Sequence, residues 1–162
     1  MIKHEIKNNF LDKELFNSFK KEMFSTRCGW YWQAHQVEKD RGYFGHYFYV
    51  EHKPNSSFYT PFIVPIIFML RAKMLTEVRA NCTLKDSKQH FSDFHFDRSY
   101  DCTTSILYMN TNNGYTLLGE KEKIKITSEE NKMVTFNSQT KHCAVSQTDT
   151  DRRIVINFNY LK

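Results

Sequence analysis

From about Thr76 onward the chain breaks into short apolar or alternating runs separated by polar turns, and this rhythm limits the fold more than any other feature of it. The runs are 76–84, 93–98, 103–110, 115–118, 123–127, 132–137, 142–148 and 152–160. About eight short strands, recurring roughly every 8–12 residues, predict an antiparallel sandwich or jelly roll. The residues before them read differently. Asp12 is placed to cap a helix, and Leu11, Leu15, Phe16, Phe19 and Met23 recur at helical spacing. Residues 43–51 read as a strand, Asn55-Ser56-Ser57 as a loop, and Pro61 to Met74 as a second helix with both prolines early. The aromatic segment Trp30-Tyr31-Trp32 reads as core packing. Helices first and strands after predict a mostly β (α+β) fold, a barrel buttressed by N-terminal helices. At 162 residues, one domain over 1–162 is expected. Residues 1–75 would supply helical support and substrate-side segments, and 76–162 the β core.

The last run is the most informative. Arg153, Val155, Asn157 and Asn159 share one face of a strand, and Ile154, Ile156, Phe158 and Tyr160 share the other. The apolar face needs cover, which the N-terminal helices can give. The other face then turns an arginine inward, which is costly unless an anion meets it. Upstream, His95-Phe96-Asp97 sets an imidazole and a carboxylate two positions apart, on one face if the segment is a strand. His142 follows far downstream. Two histidines and one carboxylate make the facial set that holds non-haem Fe(II) and leaves open positions. A planar guanidinium suits bidentate binding of a carboxylate.

In this order, the His95-Phe96-Asp97 triplet, the strand ending Leu107-Tyr108-Met109-Asn110, Asn112-Asn113-Gly114-Tyr115-Thr116, His142 and Arg153-Ile154-Val155-Ile156-Asn157-Phe158 resemble the 2-oxoglutarate/Fe(II)-dependent dioxygenases. Within that family the chain resembles the prolyl-hydroxylase-like branch, especially its short phage and marine bacterial members. The match runs from about Val78 to Tyr160, roughly half of the chain. The resemblance implies a double-stranded β-helix, a cupin-like jelly roll with the metal at one mouth. It implies His95, Asp97 and His142 as the catalytic iron ligands. Arg153 matches the arginine that pairs with the distal carboxylate of 2-oxoglutarate, and Tyr108 a tyrosine that donates to the same group. Arg152 is the alternative anchor if the register slips by one residue. Asn81 is a further candidate near metal or substrate. The implied cofactors are Fe(II), 2-oxoglutarate and dioxygen, with ascorbate as a stimulant. The implied reaction hydroxylates a C–H bond of a protein side chain or a small molecule, with succinate and carbon dioxide as coproducts.

Other readings compete. A jelly roll can bind metal or ligand without oxygenase turnover, and the Arg153–Tyr108 pair is what separates the two. Cys143, adjoining His142, reads as a small core residue and not as a zinc ligand, because adjacent strand residues face opposite ways. The net charge of +5 admits nucleic acid only weakly, the basic residues being scattered. The apolar stretch Phe62–Leu70 is too short to span a membrane. Cys28, Cys82, Cys102 and Cys143 form no CxxC pair, which suits free thiols in a reducing cytoplasm, that of the host if the chain is phage-encoded. The prime substrate is expected to be read by segments around the mouth: Trp30–Trp32, Lys53–Phe58 and Arg98–Cys102.

Overall fold

The computed structural model describes residues 1–34 and 42–162. Its strands are β1 (His4–Lys7), β2 (Tyr31–Gln33), β3 (Tyr43–Val50), β4 (Lys53–Pro54), β5 (Met74–Leu84), β6 (Thr103–Tyr108), β7 (Tyr115–Leu118), β8 (Ile124–Thr127), β9 (Lys132–Asn137), β10 (His142–Val145) and β11 (Arg152–Leu161). The larger sheet has the order β1-β9-β6-β11-β5-β3-β2, with β4 joined to β3. The smaller has the order β10-β7-β8. Every pairing is antiparallel.

The first helix, α1 (Lys13–Met23), begins where its cap predicts: the Asp12 side chain accepts the Leu15 amide, at 2.9 Å. Its apolar stripe of Phe16, Phe19 and Met23 lies against the outer face of the large sheet. Ile154, Ile156, Phe158 and Tyr160 of β11 are fully buried in that same cluster. Phe19 stacks on Phe62 with centroids 4.7 Å apart. Burying an aromatic ring of this kind contributes about 1.5–3 kcal/mol, enough to hold a three-turn helix that would not persist alone.

The inner face of the large sheet meets the small one. Ile106, Tyr108, Val134, Phe136 and Val155 pack with Leu118 and Ile126 in a second, smaller cluster. Central strand β11 thus sits between an apolar layer and a barrel interior.

Several elements differ from their sequence expectation. The second helix, α2 (Val64–Leu70), stops four residues before Met74, because Arg71 turns left-handed at φ 54 and closes it. Residues Tyr59–Ile63 before it form a π-turn, in which the Val64 amide reaches back to the Tyr59 carbonyl. Pro61 and Pro65 lack amide hydrogens, so the ordinary ladder is interrupted on both sides of that bond. The expected strand at 93–98 is absent. His95 exchanges two backbone bonds with His142, but the Asp97 amide bonds to Ser138 and the chain peels away from β10. The short strands β1, β2 and β4 had no sequence signal.

Candidate metal centre

The two backbone bonds between His95 and His142, each 3.0 Å, bring the imidazoles together, with ring centroids 4.4 Å apart. Asp97 follows on the same loop. Its Oδ1 lies 3.4 Å from His142 Nε2 and 3.8 Å from His95 Nε2. One donor atom from each of the three residues falls within 4.8 Å of the others. His95 and Asp97 therefore share an aspect without a regular strand beneath them.

The tautomers follow from the neighbours. His95 Nδ1 lies 3.1 Å from the Asp93 carbonyl, and His142 Nδ1 lies 3.0 Å from the Thr140 carbonyl. A carbonyl can only accept, so each Nδ1 carries the proton and donates it. In the neutral ring each Nε2 is then left with its lone pair directed toward Asp97, the arrangement that metal-binding histidines need. The Thr104 hydroxyl lies 2.9 Å from Asp97 Oδ2 and 2.8 Å from the Asn159 side chain. It has one proton, and the ionised carboxylate is the stronger acceptor. That bond fixes Oδ2 and leaves Oδ1 for a cation.

Charge is arranged to match. Burial alone would raise the Asp97 carboxyl, but the His142 and His95 imidazoles and the Thr104 hydroxyl outweigh it and hold it at about 2. Burial, and then the neighbouring His142, pull His95 down. His142 is also pushed down by burial, yet the adjoining carboxylate carries it above its usual value. Two imidazoles and a carboxylate with free Nε2 and Oδ1 atoms fit a borderline divalent cation such as Fe(II), with positions to spare for other ligands.

The triad lines a cavity of about 540 Å³, and Arg153 lines it too. Arg153 is only 4% exposed. Its Nε donates to Ser128 Oγ at 2.9 Å, one terminal amine donates to Thr116 Oγ at 3.3 Å, and its guanidinium lies over the Tyr108 ring at 5.6 Å. No carboxylate among the described residues pairs with it. Burial pulls its pKa below the usual arginine value. Gly114 makes room for the side chain, since a Cβ there would stand 3.0 Å from Arg153 Cδ and 2.8 Å from the Val145 carbonyl. Arg152, the alternative anchor, lies on the other face, its guanidinium 5.2 Å from the Phe24 ring centroid.

Tyr108 is fully buried, and its hydroxyl donates to Thr116 Oγ at 2.8 Å. Thr116 thus accepts from both Tyr108 and Arg153, which leaves its own proton for the cavity that it lines. Thr116 and Asn159 stood in the sequence only as members of a motif and of a strand face, and Ser128 and Thr104 had no place in it. Their one signal was period: Thr116 falls in register with Leu118, on the inward face of β7. Asn81 lines the cavity as well. Of the three segments expected around the mouth, Trp32 and Arg98 line it, whereas the 53–58 loop does not. Ser56 of that loop instead bonds His46 Nε2 at 2.8 Å. Trp30 packs against the core, but Tyr31 and Trp32 are exposed, which corrects the reading of the whole segment as core. All four cysteines are free and buried, and Cys143 packs with Leu117 and Val145 on the side of β10 away from the triad.

Comparison with solved structures bears on the fold. A prolyl-4-hydroxylase from Pseudomonas putida superposes with a TM-score of 0.72 at 11% identity, covering 100% of this chain and 94% of that one. A Trichoplax adhaerens prolyl hydroxylase, in complex with a hypoxia inducible factor oxygen degradation domain peptide fragment, gives 0.68 at 14% identity over 98% and 83%. An epimerase from nogalamycin biosynthesis, in complex with Fe3+, alpha ketoglutarate and nogalamycin RO, gives 0.65 at 10% identity over 99% and 79%. No protein-family model and no curated protein sequence matches the chain. The fold is the double-stranded β-helix of the 2-oxoglutarate/Fe(II) oxygenases. Among these, the architecture is shared along almost its whole length with prolyl hydroxylases.

Proposed function

We propose that this chain, as one domain over residues 1–162, is an Fe(II)- and 2-oxoglutarate-dependent oxygenase that hydroxylates a C–H bond of a protein side chain or a small molecule. The observation that carries the reading is one cavity lined both by a His95–Asp97–His142 cluster and by the buried Arg153 guanidinium, which no carboxylate among the described residues neutralises. A metal-binding module would need the first and not the second. When bound, Fe(II) together with 2-oxoglutarate reduces dioxygen, so that one oxygen atom enters the substrate C–H bond and the other leaves in succinate beside carbon dioxide.

The protein's own residues supply position and dryness. His95 Nε2, His142 Nε2 and Asp97 Oδ1 would hold the cation, with Thr104 fixing the carboxylate. Arg153 would take the distal carboxylate of 2-oxoglutarate, with the free Thr116 proton beside it and Tyr108 behind Thr116. The hydroxyl of Tyr108 thereby acts on the cosubstrate through Thr116. Trp32 and Phe96, both about half exposed at the cavity, would meet the prime substrate. No helix among the described residues is long and apolar enough to cross a membrane. The four free thiols suit a reducing cytoplasm.

The test is succinate formation from 2-oxoglutarate by anaerobically purified protein supplied with Fe(II), ascorbate and air, beside His95→Ala. Metal-dependent succinate from the wild type alone is the expected result. Absence of succinate, together with no Fe(II)-dependent binding of 2-oxoglutarate, would reduce the protein to a binding module.

A further inference from the structure

Thr104 stands between two side chains and has one proton to give. Its hydroxyl oxygen lies 2.9 Å from Asp97 Oδ2 and 2.8 Å from the end of the Asn159 amide. The contact with Asn159 is set by the backbone, because Thr104 on β6 and Asn159 on β11 are directly opposite in the antiparallel register. Both residues are buried, Thr104 fully and Asn159 to within 3%.

The proton can go only one way. A carboxylate that holds a cation is ionised and can only accept, and it outcompetes a neutral amide oxygen for a hydroxyl donor. With the proton spent on Asp97, an amide oxygen at 2.8 Å would set lone pair against lone pair where solvent does not reach. A half-turn of the Asn159 amide about its last bond keeps its shape and puts an N–H in that place. Nothing opposes the turn. Glu77, opposite Asn159 on β5, is engaged by Arg98 at 3.1 Å and faces Arg79 at 3.8 Å. Among the described residues the amide makes no second hydrogen bond that the turn would break.

We propose that Asn159 is a positioning residue of the metal centre, whose Nδ2 donates to Thr104 Oγ while Thr104 donates in turn to Asp97 Oδ2. This rests on the metal-binding part of the reading above and deepens it. Two donors in series polarise one another. The amide also closes off the rotation of the Thr104 hydroxyl toward any acceptor but Asp97. Oδ2 is thereby held back, and the carboxylate offers Oδ1 alone. The influence of Asn159 on the cation passes entirely through Thr104.

The probe is Zn(II), titrated calorimetrically into the full chain without cosubstrate. Thr104→Val should weaken its binding about 10- to 100-fold, the usual loss when the partner behind a metal ligand is removed. Thr104→Ser, which keeps the hydroxyl, should restore most of that. Asn159→Leu should weaken binding about two- to tenfold, the worth of one net hydrogen bond. In the Thr104→Val background, Asn159→Leu should cost nothing further in Zn(II) affinity, while its effect on the Tm of the metal-free protein persists. A residue that merely packs would multiply the two losses. Neutron diffraction from wild-type crystals reads the amide directly, so the inference stays testable even if a variant misfolds, and deuterons on the Asn159 atom facing Thr104 are expected. An oxygen in that place, an unchanged affinity in Asn159→Leu, or losses that multiply would each overturn this inference and leave the metal centre standing. A wild type that takes up no Zn(II) overturns the metal centre and this inference with it.

Discussion

Replacing Arg153 by Met should leave stability almost untouched and remove cosubstrate binding. The side chain keeps two hydrogen bonds, to Ser128 and Thr116, and a contact over the Tyr108 ring. Bonds to neutral acceptors contribute about 1 kcal/mol each, and the ring contact about as much again. Against this stands the desolvation of a charge with no counterion among the described residues, several kcal/mol even after relaxation. Methionine fills similar space with no charge, so the two sides nearly cancel and the change should stay under about 1 kcal/mol, or roughly 2–4 °C in Tm. Binding behaves differently. A bidentate carboxylate makes two charge-assisted bonds of about 1.5–3 kcal/mol each, so their loss weakens binding by about 150-fold or more. With Zn(II) present, 2-oxoglutarate at about 100 times its wild-type Kd should stabilise the wild type by about 2.7 kcal/mol, and Arg153→Met hardly at all. Thermal unfolding with and without 2-oxoglutarate reads both quantities in one assay. A variant that loses several kcal/mol of stability yet keeps the full 2-oxoglutarate shift would refute the reasoning, because Arg153 would then be a structural cation.

Gly114→Ala should weaken 2-oxoglutarate binding without removing a single polar group, because the added methyl presses on Arg153 Cδ, on Asn112 Oδ1 and on the fixed Val145 carbonyl. A loss of about tenfold or more by calorimetry is expected, and unchanged affinity would mean that the arginine has slack. Metal affinity should rise with pH. His142 titrates above its usual value, held up by the Asp97 carboxylate, whereas burial holds His95 below it, so the proton that a cation displaces as pH falls is first that of His142. Below the His142 pKa, apparent affinity for Zn(II) should fall about tenfold per pH unit and above it level off, and a flat profile from pH 5 to 8 would contradict the assignment.

Much of this arrangement was legible in the residues. Period alone placed Arg153 inward and Ile154 outward, and the same alternation sends Arg152 to Phe24 on the outer surface. The Asp12 cap marked the start of α1, and Phe16, Phe19 and Met23 of the stripe behind it are its buried face. The His95–Asp97 pairing was expected for a reason that does not hold: the two share an aspect because the loop turns at Asp97, and not because a strand alternates beneath them. Thr116 and Ser128 stayed hidden because a hydroxyl on a strand looks the same whether it faces water or a guanidinium. The π-turn before α2 depends on how two prolines share one stretch of backbone, which a periodic pattern does not register.

Strand β11 works as a partition wall. Its even-numbered residues, Ile154 to Tyr160, are mortared into the helical layer. Its odd-numbered ones, Arg153 to Asn159, furnish the room on the other side. Neighbouring positions a single peptide apart therefore answer to separate demands, one on whether the chain folds and the other on what it acts upon. Such a wall can be redecorated on one side without being rebuilt, and a new substrate preference is reachable along β11 while the packing that holds the barrel upright is left alone.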